Sequence, residues 1–195
     1  MSEQRDLLEQ IRAEREIHRV LLKYFRGSDR FDLDLMATAY HPDAYDDHGT
    51  YKGDIKGLVE WIRTRHQTIE QSMHLAGTPF IHLEGKQAAV ETYCILYQHE
   101  RTDCVNLATQ QPAYRRFVFG VRYVDRFEER QGDWRIAHRV VVWEWSQEDV
   151  GDLNMNPIWT TAKRSLEDAV FKNVLPVRQA ERPNSSAEVS TTSHH

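Results

Sequence analysis

Between residues 5 and 26 the apolar side chains fall at Leu7, Leu8, Ile11, Ile17, Leu21, Tyr24 and Phe25. Steps of three and four gather such residues into one stripe of a helix. Gly27 and Ser28 are read as closing it, which leaves Asp29 just past the exit. Asp32 or Asp34 then caps a short second helix through Leu33, Leu35, Met36, Ala39 and Tyr40, because a short carboxylate accepts the free amides of a first turn. His41-Pro42 stops that helix, since proline lacks the amide needed to continue. A third helix, about residues 54 to 69, repeats the pattern with Ile55, Leu58, Val59, Ile62 and Ile69.

After Gln71 the apolar period drops from near 3.6 to two, the mark of a change from helix to sheet. Four strands are predicted near 73 to 83, 87 to 99, 115 to 129 and 133 to 145. Glu84-Gly85 and Gln131-Gly132 between them are tight-turn chemistry, while Arg101 to Ala113 forms a longer polar connection of the kind that often serves as a lid. Asp43 to His48 is expected to add a short edge strand. Pro157, Ile158, Ala162, Leu166, Ala169 and Val170 predict a further helix over 157 to 171. The fold class is therefore α+β, with a curved, mostly antiparallel sheet wrapped around three amino-terminal helices. Residues 1–150 are expected to form the domain, 151–175 a helical extension, and 176–195 a disordered tail too polar to bury a core.

At 195 residues, 40% hydrophobic and 28% charged, the chain suits one core of ordinary size. Its net charge of -5 is well mixed and offers no positive field for a phosphate backbone, so no nucleic-acid partner is expected. No apolar run approaches the roughly 18 residues of a membrane span, and the opening residues lack a signal-peptide core. The expectation is a cytoplasmic protein with no membrane partner, in which Cys94 and Cys104 are free thiols.

Three residues stand out chemically. Tyr24 lies in the final turn of the first helix, Asp29 follows its exit, and His74 opens the first long strand, so all three can meet between helices and sheet. A carboxylate bonded to one imidazole nitrogen fixes the tautomer and strengthens the other as a base. Such a base removes a proton beside a carbonyl or on an activated ring, and a tyrosine can protonate or stabilise an oxygen that gains charge.

The runs LLKYFRGSDRFDLDLMATAYHPDAYDDHGTYKG, HLAGTPFIHLEGKQAAVETY and FGVRYVDRFEERQGDWRIAHRVVVWEW carry a resemblance over about residues 8 to 146. In order and spacing they resemble the SnoaL-like branch of the nuclear-transport-factor-2-like superfamily. That branch includes scytalone dehydratase, bile-acid 7α-dehydratase and hexachlorocyclohexane dehydrochlorinase. The resemblance implies that Asp29 and His74 form the base dyad of an elimination, with Tyr24 beside them. The dehydrochlorinase has lysine at the Tyr24 position, which favours an oxygen leaving group here. Tyr45 is similarly expected to present a phenol to the cavity.

Strand alternation sets Phe117, Phe119, Val121, Tyr123 and Asp125 against Val118, Gly120, Arg122, Val124 and Arg126. In the last strand Ala137, Arg139, Val141, Trp143 and Trp145 oppose Ile136, His138, Val140, Val142 and Glu144. Candidate substrate contacts are Tyr45, Tyr93, Phe119, Arg122, Val141 and Trp143, because aromatic walls suit an aromatic or polycyclic small molecule. Arg122 or Arg139 could instead pair with Glu91, Asp125 or Glu144 across the sheet. His66, at the exit of the third helix, is placed where a helix dipole favours an imidazolium.

No phosphate loop, dinucleotide fingerprint, nucleophile elbow or metal-ligand spacing occurs, so neither a cofactor nor a metal is expected. The leading expectation is a cofactor-independent lyase of the dehydratase kind. Isomerisation, cyclisation, retro-aldol cleavage and a non-catalytic role like that of an oxygenase small subunit remain open. Apolar residues on both faces of the last strands suggest a symmetric homo-oligomer; the resemblance implies a homotrimer, or alternatively a homodimer.

Overall fold

The computed structural model describes residues 2–105, 110, 112–151, 153 and 155–172. Helices α1 (Ser2–Arg30), α2 (Leu33–Ala37) and α3 (Ile55–Arg65) pack on one sheet. Its strands are β1 (Tyr40–Asp47), β2 (Lys52–Asp54), β3 (Ile69–Ala76), β4 (Phe80–Glu84), β5 (Gln87–Val105), β6 (Pro112–Arg130) and β7 (Asp133–Gly151). Across the sheet the order is β2-β1-β7-β6-β5-β3, and β4 also pairs with β5. Only the β1–β7 pairing is parallel among these described strands. The architecture is α+β with a mostly antiparallel sheet, as the change of period predicts.

The helical stripe supplies Ile17, Val20, Leu21, Tyr24 and Phe25 to the core, against Val121, Tyr123, Phe127, Ile136 and Val141 of the sheet. Leu7, Leu8 and Ile11 of the same stripe are exposed, so burial begins only in the second half of α1. The helix does not stop at Gly27-Ser28. It runs on to Arg30, and Phe31 makes the left-handed turn at φ 58°. Gly27 serves close approach instead: a Cβ there would lie 2.5 Å from the Met36 amide nitrogen, where α2 crosses α1.

Asp32 caps α2, its carboxylate accepting from the Leu35 amide at 3.1 Å. The helix ends at Ala37, and Tyr40 and His41, read from the sequence as its end, already belong to β1. That strand is not an edge: it lies between β2 and β7. The predicted strand over 73–83 breaks between Ala76 and Phe80 into β3 and β4, both of which pair with β5. Gln131 and Gly132, at φ 56° and 88°, form the tight β6–β7 turn expected of them.

Two irregularities between β6 and β7, at Gly120/Val121 and at Arg126/Phe127, interrupt strict alternation. Val121 pairs with Trp143 and Gly120 with Trp145, so Glu144 is the extra residue of a bulge. A bulge of this kind bends the strand and resets which side chains point inward. Trp145 therefore sits against Gly120 on the outer face, not beside Trp143 as alternation predicts.

The predicted helix over 157 to 171 is absent. Residues 157–168 run through turns and irregular backbone, and only α4 (Ala169–Lys172) is helical. Side-chain bonds to backbone hold this strap in place of a helical ladder. Arg164 donates to the carbonyls of Asp29 at 3.2 Å, Ile69 at 3.0 Å and Ser28 at 2.9 Å. Asp168 accepts from Arg30 at 3.0 Å and from the amides of Lys163 and Val170. The tail over 176–195 and most of the polar connection after Val105 lie outside the described residues.

Candidate active site

Tyr24 sits where α1 crosses the inner face of the sheet, and Asp29 lies in the last turn of the same helix. His74 comes from the middle of β3, in register with Leu96 of β5. The Asp29 carboxylate accepts the His74 Nδ1–H at 2.7 Å, the His74 amide at 2.9 Å and the Ser72 hydroxyl at 2.9 Å. Burial would raise the pKa of Asp29, but these donors outweigh it and hold the carboxyl below its ordinary value. With Nδ1 engaged, Nε2 is the nitrogen of His74 left for chemistry. Phe25 stacks on the imidazole at 5.3 Å between centroids and fixes its plane.

Arg164 braces this dyad from behind. Ser28 and Asp29 carry carbonyls in the last turn of α1, where helical partners run out, and the guanidinium donates to both. Its charge also faces His66, 3.2 Å away. Burial, followed by Arg164 and Arg65, pulls His66 down to about 3. His66 is thus neutral near pH 7, contrary to the imidazolium expected from its place at the end of α3.

A second carboxylate–imidazole pair faces the first. Asp46, fully buried, bonds to His48 Nδ1 through Oδ1 and accepts the Tyr40 hydroxyl at 2.7 Å through Oδ2. His48 Nε2 lies 3.0 Å from the Tyr24 hydroxyl. Below them Arg139 makes a bidentate pair with Asp125 at 2.7 and 2.6 Å, with both side chains fully buried. Its guanidinium lies 4.2 Å from the Tyr24 ring centroid and 4.5 Å from that of Tyr123. Burial alone would favour a neutral guanidine, but the Asp125 carboxylate outweighs it and keeps Arg139 charged. Burial likewise pushes the Tyr24 phenol well above its ordinary value, with Arg139 opposing, so Tyr24 is a neutral phenol at rest.

Tyr24, His48 and His74 all line one cavity of about 400 Å³, with Trp61, Leu96 and Gln98 among the other walls. Phe119, Val141 and Trp143 line it as well. Three other candidates lie elsewhere. Tyr45 points outward and stacks on His138 at 5.3 Å, because alternation along β1 turns its neighbour Asp46 inward. Tyr93 and Arg122 occupy the outer face, where Arg122 donates to Glu91 at 2.6 Å and Glu144 at 2.9 Å. The cross-sheet pairings weighed for Arg122 and Arg139 are the ones that form.

Sequence reasoning overlooked the pairing of Asp46 with His48. Its signal was the two-residue spacing, which puts both side chains on one face of a strand. Trp61 was also missed; it lies on the α3 face turned toward His48, at 6.0 Å between centroids. Among the described residues no group of three or more His, Cys, Asp or Glu could hold a metal ion. No described helix is long and apolar enough to cross a membrane.

Solved structures of several proteins share this fold. A hexachlorocyclohexane dehydrochlorinase from Novosphingobium barchaimii superposes with a TM-score of 0.64 at 11% identity, covering 77% of this chain and 99% of that one. A candidate scytalone dehydratase from Novosphingobium aromaticivorans gives 0.61 at 14% identity, over 81% and 97% of the two chains. A candidate aromatic ring hydroxylase from the same species gives 0.59 at 16% identity, over 72% and 94%. No curated protein matches the chain in sequence. Residues 9–140 match the SnoaL-like domain, and the chain belongs to that family.

Proposed function

We propose that the protein is a cofactor-independent lyase that dehydrates a hydroxylated aromatic or polycyclic small molecule. One observation carries this reading: His74, whose Nδ1 is held by Asp29 so that Nε2 is left for chemistry, and Tyr24 both line a single, mostly apolar cavity. In this mechanism His74, held by Asp29, takes a proton from an activated carbon. The C–H electron pair becomes the new double bond, the C–O bond breaks, and Tyr24 protonates the departing oxygen so that water leaves. Charge develops among fixed donors and an aromatic wall, where preorganised hydrogen bonds count for more than they do in water. The cavity volume falls within the ~300–1,000 Å³ usual for small-molecule sites. Resemblance to the dehydrochlorinase and the candidate dehydratase supports an elimination.

Mass spectrometry of products from a panel of hydroxylated aromatic and steroid-like compounds tests this directly. Loss of one water is expected. An unchanged mass would replace dehydration by isomerisation or cyclisation, and release of a small aldehyde would replace it by carbon–carbon cleavage.

The expected assembly is a homotrimer, with a homodimer as the alternative. Met73, Leu75, Tyr93, Ile95 and Trp145 are all exposed on β3, β5 and β7, and Leu75, Tyr93, Ile95 and Trp145 line one outer groove. Soluble monomers seldom leave so continuous an apolar patch wet. Light scattering coupled to size-exclusion chromatography at micromolar concentration should give a multiple of the subunit mass. A single species at one subunit mass would show that this face stays open.

A further inference from the structure

We propose that His48, held by Asp46, is the proton source that makes Tyr24 an acid in the elimination. The proposal rests on the reading above, in which His74 is the base and Tyr24 protonates the leaving oxygen. It adds a second imidazole, acting through Tyr24, that works in the opposite sense to the first.

An ionised carboxylate only accepts, so the Asp46 Oδ1 contact places a proton on His48 Nδ1. Tyr40 occupies the other oxygen, which leaves the Asp46 carboxylate fully engaged in the interior. His48 Nε2 then meets the Tyr24 hydroxyl at 3.0 Å, with two possible directions of donation. If Nε2 is bare, the phenol donates to it and its proton points away from the substrate. If Nε2 carries a proton, it donates to the phenol oxygen and frees the phenol proton for the cavity. Only the second state lets Tyr24 protonate a departing oxygen.

The step balances. One proton passes from substrate carbon to His74 Nε2. A second passes from Tyr24 to the leaving oxygen as the C–O bond breaks, and the Nε2 proton of His48 replaces it on Tyr24. The products are an alkene and water, a protonated His74 and a neutral His48. Exchange with solvent restores both imidazoles. The Arg139 guanidinium, 4.2 Å from the Tyr24 ring centroid, favours any phenolate character that develops between the two transfers.

A pair of probes reads the base and the acid separately without the natural substrate. Base-promoted opening of nitrobenzisoxazole removes a ring C–H proton, forms a nitrile and breaks the N–O bond. Its nitrophenolate departs with little need of an acid, whereas the unsubstituted benzisoxazole releases a more basic phenolate. The full chain should open both faster than buffer. His48→Gln and Tyr24→Phe should each shift the kcat/KM ratio toward the nitro compound by about tenfold or more, within the range of a positioned acid. Because the two residues act as a unit, the double variant should lose little beyond either single one.

An unchanged ratio in folded His48→Gln, or multiplicative losses in the double variant, would overturn the proposal. His74→Ala with both rates retained, or a parent that opens neither probe, would instead overturn the base reading. A spectroscopic test does not depend on any variant folding. With para-nitrophenolate in the cavity, nitrogen-labelled histidine spectra of the parent should show a proton on His48 Nε2, and a bare Nε2 there would sink the idea.

Discussion

Asp29→Asn and His74→Ala are expected to lower turnover by at least about a hundredfold, the low end for removal of a positioned general base. The two changes act differently. His74→Ala deletes the nitrogen that takes the proton. Asp29→Asn keeps the shape but replaces an acceptor oxygen with an amide, so the bonds from His74 Nδ1, the His74 amide and Ser72 cannot all persist. Steady-state kinetics on a substrate found in the product screen, with circular dichroism to confirm folding, checks both. Near-parental turnover in either folded variant would remove the dyad from the mechanism.

The same carboxylate has a stability signature. Its pKa is lower folded than unfolded, so its contribution is fully present above the ordinary carboxylate range and is lost as pH falls through the folded value. The melting temperatures of parent and Asp29→Asn should therefore differ most near neutral pH and converge below about pH 4. A gap that stays constant down to low pH would show that the loss comes from packing rather than charge.

Arg139→Met should be the most destabilising single change at the site. The substitution leaves the Asp125 carboxyl fully buried and without its two guanidinium bonds, and it removes the cation packed between Tyr24 and Tyr123. Breaking one side of a buried ion pair costs about 3–5 kcal/mol. For a chain of this size that corresponds to a fall of roughly 6–20 °C in melting temperature. Arg139→Met combined with Asp125→Leu should recover much of the loss, because no buried charge then lacks a partner. Thermal melts of the three variants decide the matter; a double variant no more stable than the single one would point to packing on the tyrosines as the main contribution.

Periodicity was enough to establish the layers of the fold. The stripe ending in Tyr24 and Phe25, the change of period after Gln71 and the Gln131-Gly132 turn each act through near neighbours, so the helices and the sheet could be read along the chain. The same holds for the meeting of Asp29 and His74, which needed only the order of elements and a resemblance. Several other features that depended on contacts distant in sequence were read incorrectly or missed. Gly27 looked like a helix stop because its function is to admit Met36, which only the crossing of α2 over α1 reveals. The strap over 157–168 had helical spacing, yet Arg164 and Asp168 find better partners on α1 and β3 than a helix would offer. The bulge at Glu144 moved Trp145 to the outer face, since alternation predicts orientation only while the register is unbroken. Asp46 and His48 show the same limit. Their spacing put them on one side of a strand, but only the β1–β7 pairing and the crossing of α1 brought that side to Tyr24. Local sequence determined most of the elements and the order in which they follow; the tertiary structure decided which sheet face lines the cavity and which polar side chains meet there, because hydrogen-bond partners are set by distances in space that spacing along a chain does not encode.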